Sequence, residues 1–260
     1  MIVSLPDVCR RLSTTAVRPN AVWTADFKGE FRTGDRCVCY PLTTADLFSR
    51  YLLGCKVRRS TSHDEARPAF EQLFREFGLP DAILTDGGTP FSSARSPRRL
   101  SRLSVWWVRL GIRPIVIEPG KPQQNGCHER MHRTLKQATA RPPSPTLWRQ
   151  QVSFDSFRRE YNEERPHEGI GMKTPSELYR PSPRPMPSRL EEMSYPGHYE
   201  VRKVRRSGEI KWHGQWRFLS ESLGGQLVGL EETSDGIWSL SFGSLLVGRY
   251  DAHVGDLELL

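Results

Sequence analysis

The order in which apolar runs and helical periods follow one another limits this chain more than any other feature. Asn20 to Phe27, Cys37 to Leu42 and Tyr51 to Val57 are strand-like runs separated by short turns, one of them at Gly34-Asp35. Three such runs in succession predict an antiparallel meander. Ser62-x-x-Glu65 is a capping-box pattern that opens a helix; Phe70, Leu73, Phe74 and Phe77 recur at helical spacing, and Gly78 followed by Pro80 closes it. Ala82-Ile83-Leu84 reads as a short buried strand, Val105 to Leu110 as a helix ending at Gly111, and Pro114 to Ile117 as another strand. A long helix from Asn125 to Ala140 is broken by Pro142-Pro143. A meander followed by helix, strand, helix, strand, helix predicts an α/β fold, a mixed five-stranded sheet flanked by helices.

Further along, Leu147, Phe154, Phe157 and Tyr161 mark another amphipathic helix. Pro181, Pro183, Pro185 and Pro187 then alternate with Ser, Arg and Met, which favours an extended, polyproline-like linker over residues 181–194. Beyond it, short β-rich runs are punctuated by Gly208, Gly214, Gly224-Gly225, Gly236 and Gly243. Turns at such intervals predict a small β-barrel in residues 195–260. Residues 20–180 form the expected core, and residues 1–19, which show no period, read as a leader or the stub of a missing N-terminal domain.

Composition narrows the function. No apolar run approaches the roughly 20 residues of a membrane span. Five cysteines (9, 37, 39, 55 and 127) are odd in number and include no CxxC pair, which argues against a disulfide framework or zinc knuckle and for reduced thiols in a cytoplasm. The net charge of +8 is unevenly spread. From Thr89 to Phe154 twelve Lys or Arg face only two acids, Glu118 and Glu129, whereas from Glu221 to Leu260 seven acids face the single Arg249. One surface is suited to phosphate and the C-terminal end is not.

Three carboxylates carry the chemistry. Strand alternation puts Val22, Thr24 and Asp26 on one face. Alone, Asp26 reads as a solvated strand-end carboxylate and Asp86, before Gly87-Gly88, as a turn residue. If their strands are parallel neighbours, the two converge. On the long helix, a projection at about 100° per residue gathers Cys127, Met131, Leu135 and Ala138 into a buried stripe, with Glu129, His132, Arg133 and Lys136 opposite. Glu129 is the one acid on that opposite face. Its bland alternative is an i,i+4 ion pair with Arg133, worth about 0.3–0.5 kcal/mol. That pair leaves the Gly/Gln/Asn/Pro-rich stretch before Glu129 unexplained. Three such carboxylates can hold two Mg²⁺ ions about 3.5–4 Å apart, which serve the attacking and leaving oxygens at phosphorus. Hard oxygen donors select Mg²⁺ or Mn²⁺ over zinc. Lys121, Gln124, Asn125, Arg130, Arg133 and Lys136 are the expected DNA contacts around them. The histidines at 128, 132 and 167 are scattered and match no HExxH pattern. Trp212 and Trp216 read as barrel core or as stacking platforms for bases, and Trp106 and Trp107 as core.

The residues sit in ordered motifs: Trp23-Thr-Ala-Asp26-Phe-Lys-Gly, Asp46-Leu-Phe-Ser-Arg50-Tyr, Thr85-Asp86-Gly-Gly, Pro122-Gln-Gln-Asn125-Gly-Cys-His-Glu129-Arg and Asn162-Glu-Glu-Arg-Pro-His167. The set resembles insertion-sequence transposases of the retroviral-integrase (DDE) superfamily. The resemblance implies a ribonuclease-H-like core with Asp26, Asp86 and Glu129 as catalytic triad and metal ligands, Asp26 bridging two Mg²⁺ ions for which Mn²⁺ can substitute. It further implies metal-dependent cleavage at element ends and strand transfer of the 3′-hydroxyl into target DNA. The implied partners are transposon-end and target DNA and further copies of the chain in a synaptic complex, with no membrane, in a cytoplasmic, nucleoid-associated setting. Asp46 matches a recurrent acid outside the triad. Three departures stand out. Gly87 replaces the usual Asn, which should loosen the loop bearing Asp86. The spacing from Asp86 to Glu129 is long, with the excess expected in the Arg-rich stretch Ser92 to Arg102. The usual N-terminal helix-turn-helix part has no room upstream of Asn20. Two other readings stay open, a nuclease on the same fold and a non-catalytic DNA-binding remnant.

Overall fold

The computed structural model describes residues 16–27, 29–117 and 126–260, the last stretch without the side chains of 126–128. Strands β1 (Val22–Phe27), β3 (Val38–Asp46) and β4 (Leu52–Arg58) form the expected meander, β3 lying antiparallel between the other two. Helix α1 (His63–Phe77) carries the chain over one face and returns it as β5 (Ala82–Thr85), parallel to β1. Helix α2 (Arg102–Arg109) makes a second crossover to β6 (Arg113–Val116), parallel to β5. Helical crossovers are what parallel pairing requires. The five strands expected are therefore present in a mixed sheet, and a two-residue strand, β2 (Phe31–Arg32), adds to β3 as a sixth. Two residues carry too little pattern to be read in advance.

Both faces of the sheet are covered. Trp23, Ala25, Leu53 and Ile83 pack beneath Phe70, Leu73 and Phe74 of α1 and Trp106 and Trp107 of α2. On the other side Cys39, Leu52 and Cys55 meet Met131 and Leu135 of α3 (Gly126–Thr139) and Phe154, Phe157 and Tyr161 of α4 (Leu147–Glu163). The caps are local sequence effects. Ser62 Oγ accepts the Glu65 N–H, Ser101 and Ser104 form a reciprocal box on α2, and Thr146 Oγ1 accepts the Arg149 N–H on α4. The Ser101 box starts α2 three residues earlier than the apolar pattern alone suggests. Trp106 and Trp107 are buried, as core residues should be.

After the short helix α5 (Pro175–Leu178), the proline-rich stretch forms neither helix nor strand, and it is bolted down. The Ser182 N–H donates to Phe77 O at 2.8 Å, the Leu79 N–H to Arg184 O at 2.7 Å and the Arg184 guanidinium to Pro80 O and Gly111 O at 3.0 Å. Gly78, with φ of 75°, sits under this strap; a Cβ there would lie 2.7 Å from Ser182 O and 2.8 Å from Arg184 O. Only glycine suits both the left-handed backbone and the close approach.

Beyond the strap, β7 (Glu200–Lys203), β10 (Leu227–Ser234), β11 (Ile237–Phe242), β12 (Leu245–Asp251) and β13 (Asp256–Leu259) form a five-stranded antiparallel sheet in the order β13-β12-β11-β10-β7. Strands β8 (Glu209–Trp212) and β9 (Gln215–Phe218) make a separate hairpin. The expected β-rich region is thus present as this sheet and hairpin, and the strand pairing does not close them into a barrel. Its apolar cluster of Val204, Ile210, Trp212, Leu230, Leu240, Phe242 and Val247 also takes in Leu100 and Val105 from beside and within α2. Trp212 is core, whereas Trp216 is 46% exposed with the Arg205 guanidinium over its ring at 3.6 Å.

Candidate active site

The register of β1 and β5 decides where the first two carboxylates go. Trp23 pairs with Ile83, Thr24 with Leu84 and Ala25 with Thr85, so the next residue on each strand is Asp26 and Asp86. Parallel neighbours deliver them to the same edge of the sheet. Asp86 turns its carboxylate back on its own loop, Oδ1 accepting the Gly88 N–H at 3.2 Å. Gly88 O in turn accepts from the N–H groups of Phe91 and Ser92.

Helix α3 is rotated relative to the projection made from its sequence. Met131, His132, Leu135 and Thr139 are its buried residues, while Ala138, assigned to the buried stripe, is exposed; the Cys127 side chain lies outside the described residues. His132, assigned to the exposed face, is fully buried. One ring nitrogen, Nε2, is 2.5 Å from Thr43 Oγ1, and the other, Nδ1, is 3.5 Å from Asp26 Oδ2. The rotation has a physical cause. Threonine and aspartate on the strands give an imidazole hydrogen-bonding surroundings inside the fold, so a polar residue can take the buried side. His132 is the functional candidate that sequence reasoning missed. Its one sequence signal is its position three residues after Glu129, which puts both on adjoining sides of the helix.

Glu129 is exposed, one turn before His132. It forms no ion pair with Arg133, so the bland alternative for it is not realised among the described residues. Arg130, Arg133 and Lys136 are exposed beside it, whereas Lys121, Gln124 and Asn125 lie outside the described residues. The three carboxylates thus approach from two adjacent strand ends and from the helix that reaches Asp26 through His132. They do not close into one ligand set: among the described residues no group of three His, Cys, Asp or Glu is placed to hold a metal ion. The donor chemistry of the three fits a hard divalent cation.

Other motif residues are structural. Asp46 is completely buried and accepts from the Asn20 N–H at 2.7 Å, the Ser49 N–H at 2.8 Å and Ser49 Oγ at 2.6 Å. Burial raises its pKa, partly offset by those bonds and by Arg50. Asn162 clamps α4 to β4, accepting the Leu52 N–H at 2.8 Å and donating to Leu52 O at 3.0 Å. Three arginines of the basic window bond to other parts of the chain. Arg99 Nη2 donates to Gly87 O at 3.2 Å, Arg98 Nε to Leu246 O at 2.8 Å, and Arg109 to Gln226 Oε1 at 2.9 Å. Arg98 does so from an exposed position.

Comparison with known proteins follows the same outline. Two family models, each described as an integrase core domain, match residues 16–122 and 110–175. The chain belongs to the integrase-core family. It is 29% identical over 162 residues to an uncharacterized 31.7 kDa protein of insertion element IS407 from Burkholderia multivorans, covering 62% of this chain and 55% of that protein. It is 30% identical over 184 residues to the Gag-Pol polyprotein of baboon endogenous virus, covering 70% of this chain and 10% of the polyprotein. The chain therefore spans about half the length of the insertion-element relative and a small part of the viral one. Among solved structures, the simian T-cell lymphotropic virus intasome in complex with PP2A regulatory subunit B56 gamma superposes with a TM-score of 0.53 at 19% identity, over 89% of this chain and 79% of that one. That superposition supports the integrase-like fold. Among the described residues no helix is long and apolar enough to cross a membrane.

Proposed function

We propose that this integrase-core protein is a DNA transposase, a polynucleotidyl transferase that cleaves at the ends of a mobile element and joins the freed 3′-hydroxyl to target DNA. The observation that carries the proposal is the register of β1 and β5, which brings Asp26 and Asp86 to one sheet edge beneath the helix bearing Glu129. Asp26, Asp86 and Glu129 would hold the divalent ions, Mg²⁺ or Mn²⁺, whose charge would serve the attacking and leaving oxygens. His132 orients Asp26, and the Gly88 N–H orients Asp86. Arg130, Arg133 and Lys136 present the cations that hold the phosphates of element-end and target DNA. Two ends must be joined together, so further copies of the chain are expected in the working complex, in the cytoplasm and on the nucleoid.

That the described residues gather no three His, Cys, Asp or Glu around one point favours a second reading, a DNA-binding remnant without catalysis. The test uses pre-cut and uncut element ends with Mg²⁺. The transposase reading expects cleavage and strand transfer that Asp26→Asn, Asp86→Asn and Glu129→Gln each abolish while DNA binding persists. Binding with no chemistry in the parent chain establishes the remnant, and cleavage without joining a plain nuclease.

A further inference from the structure

We propose that the C-terminal sheet sets the position of Asp86, acting through the turn at residues 96–99, with Arg99 as the positioning residue. The proposal rests on the reading of Asp86 as a catalytic carboxylate; the chain of contacts that would carry the coupling is independent of that reading.

On one side, the turn holds the Asp86 loop. The Arg99 guanidinium lies against Gly87, donating to its carbonyl, and a Cβ on Gly87 would stand 2.5 Å from Arg99 Nη2. Glycine at 87 is thus the residue that lets the guanidinium close on the loop. The Ser93 N–H donates to Arg99 O at 2.9 Å, and Ser92 bridges to Leu100, so the segment leaving the Asp86 loop is stitched to the turn as well.

On the other side, the same turn is gripped by the C-terminal region. Arg98 Nε donates to Leu246 O, and the Arg98 N–H to Leu260 O. Ser96 Oγ is 2.9 Å from both Ser222 Oγ and Ser220 Oγ, and Leu100 is buried in the cluster with Val247 and Phe242. Arg98 and Arg99 have φ of 52° and 55°, a left-handed conformation that is unfavourable for non-glycine residues and persists only where surrounding contacts hold it. Here those contacts come from β12 and from the residues around Ser220. Relaxing them would let the turn leave that conformation, and Arg99 would leave Gly87 with it.

Hydrogen exchange read by mass spectrometry on the full chain tests the coupling without relying on catalysis. Arg98→Ala and Ser222→Ala each remove one bond on the far side of the turn. The proposal expects amides 86–93 to exchange about fivefold to tenfold faster in both, with α1 unchanged as the reference for global stability. Arg99→Ala should give the same acceleration, and Arg99→Lys, which keeps a donor for Gly87 O, should recover part of the protection. In strand transfer, Arg99→Ala should lower kcat with little change in KM for DNA. Unchanged exchange at 86–93 in Arg98→Ala and Ser222→Ala overturns the proposal, as does acceleration there that α1 shares equally. If the parent chain joins no DNA, the catalytic reading fails while the exchange data still decide the coupling.

Discussion

His132 shows how much one side chain's burial changes the meaning of a helix. With the ring between Thr43 and Asp26, α3 has a fixed rotation, and Glu129 inherits its direction from it. His132→Ala should lower strand transfer by about 10²-fold, the scale of a misplaced catalytic group, while His132→Asn, which keeps a polar side chain at the buried position, should retain more of the rate. Equal rates for parent and His132→Ala would remove the residue from the site. Gly87 is a second case. The family resemblance of its motif implies that Asn there would steady the loop, yet Arg99 already occupies the space above it. Gly87→Asn is therefore expected to lower activity, and an increase would show that Arg99 yields readily. The adjacency of Asp26 and Asp86 was legible because each follows a short strand-like run in an ordered motif. The histidine was not, because a helical projection weighs hydrophobicity and cannot see a polar pocket on another strand.

At the level of elements, most of the core was readable from period and punctuation. Ser62, Gly78 and the phenylalanines of α1 mark their helix unaided, and the parallel pairing of β1 with β5 follows from the crossover between them. The strap was half readable: proline spacing argues against helix and strand but says nothing of its partners. Because Ser182 and Arg184 bond to the end of α1 and the turn before β6, subtilisin should spare residues 181–186 and cut first at the exposed stretch around Arg189 to Glu192. First cuts inside 181–186 would mean that the bonds do not hold in solution. Gly78→Ala combines a positive φ with backbone contacts and should cost about 2–3 kcal/mol in urea unfolding. A cost below about 0.5 kcal/mol would be the size of an ordinary surface substitution and would count against a close approach there.

For the molecule as a whole, charge was legible in amount but not in how each cation is used. The basic window from Thr89 to Phe154 includes Arg98, Arg99 and Arg109, each of which donates to another part of the chain, while Arg130, Arg133 and Lys136 stand exposed on α3. The slope of log affinity against log salt should accordingly fall by about one unit for Arg133→Ala and for Lys136→Ala, and stay unchanged for Arg98→Ala. A reduced slope in Arg98→Ala would return that arginine to the DNA surface. The β-rich character of the C-terminal region was readable from its glycine-spaced runs, but its strand order was not, since only long-range pairing sets it. Leu100 and Val105, finally, belong to the apolar cluster of that sheet although they follow Asp86 closely in the chain. In evolutionary terms the two stretches are expected to behave as one inherited unit. A lineage that exchanged its C-terminal region would have to remodel residues 92–105 in the same step. Across relatives, substitutions at Leu100 and Val105 should track those at Val247 and Phe242, and should ignore the strands of the six-stranded sheet.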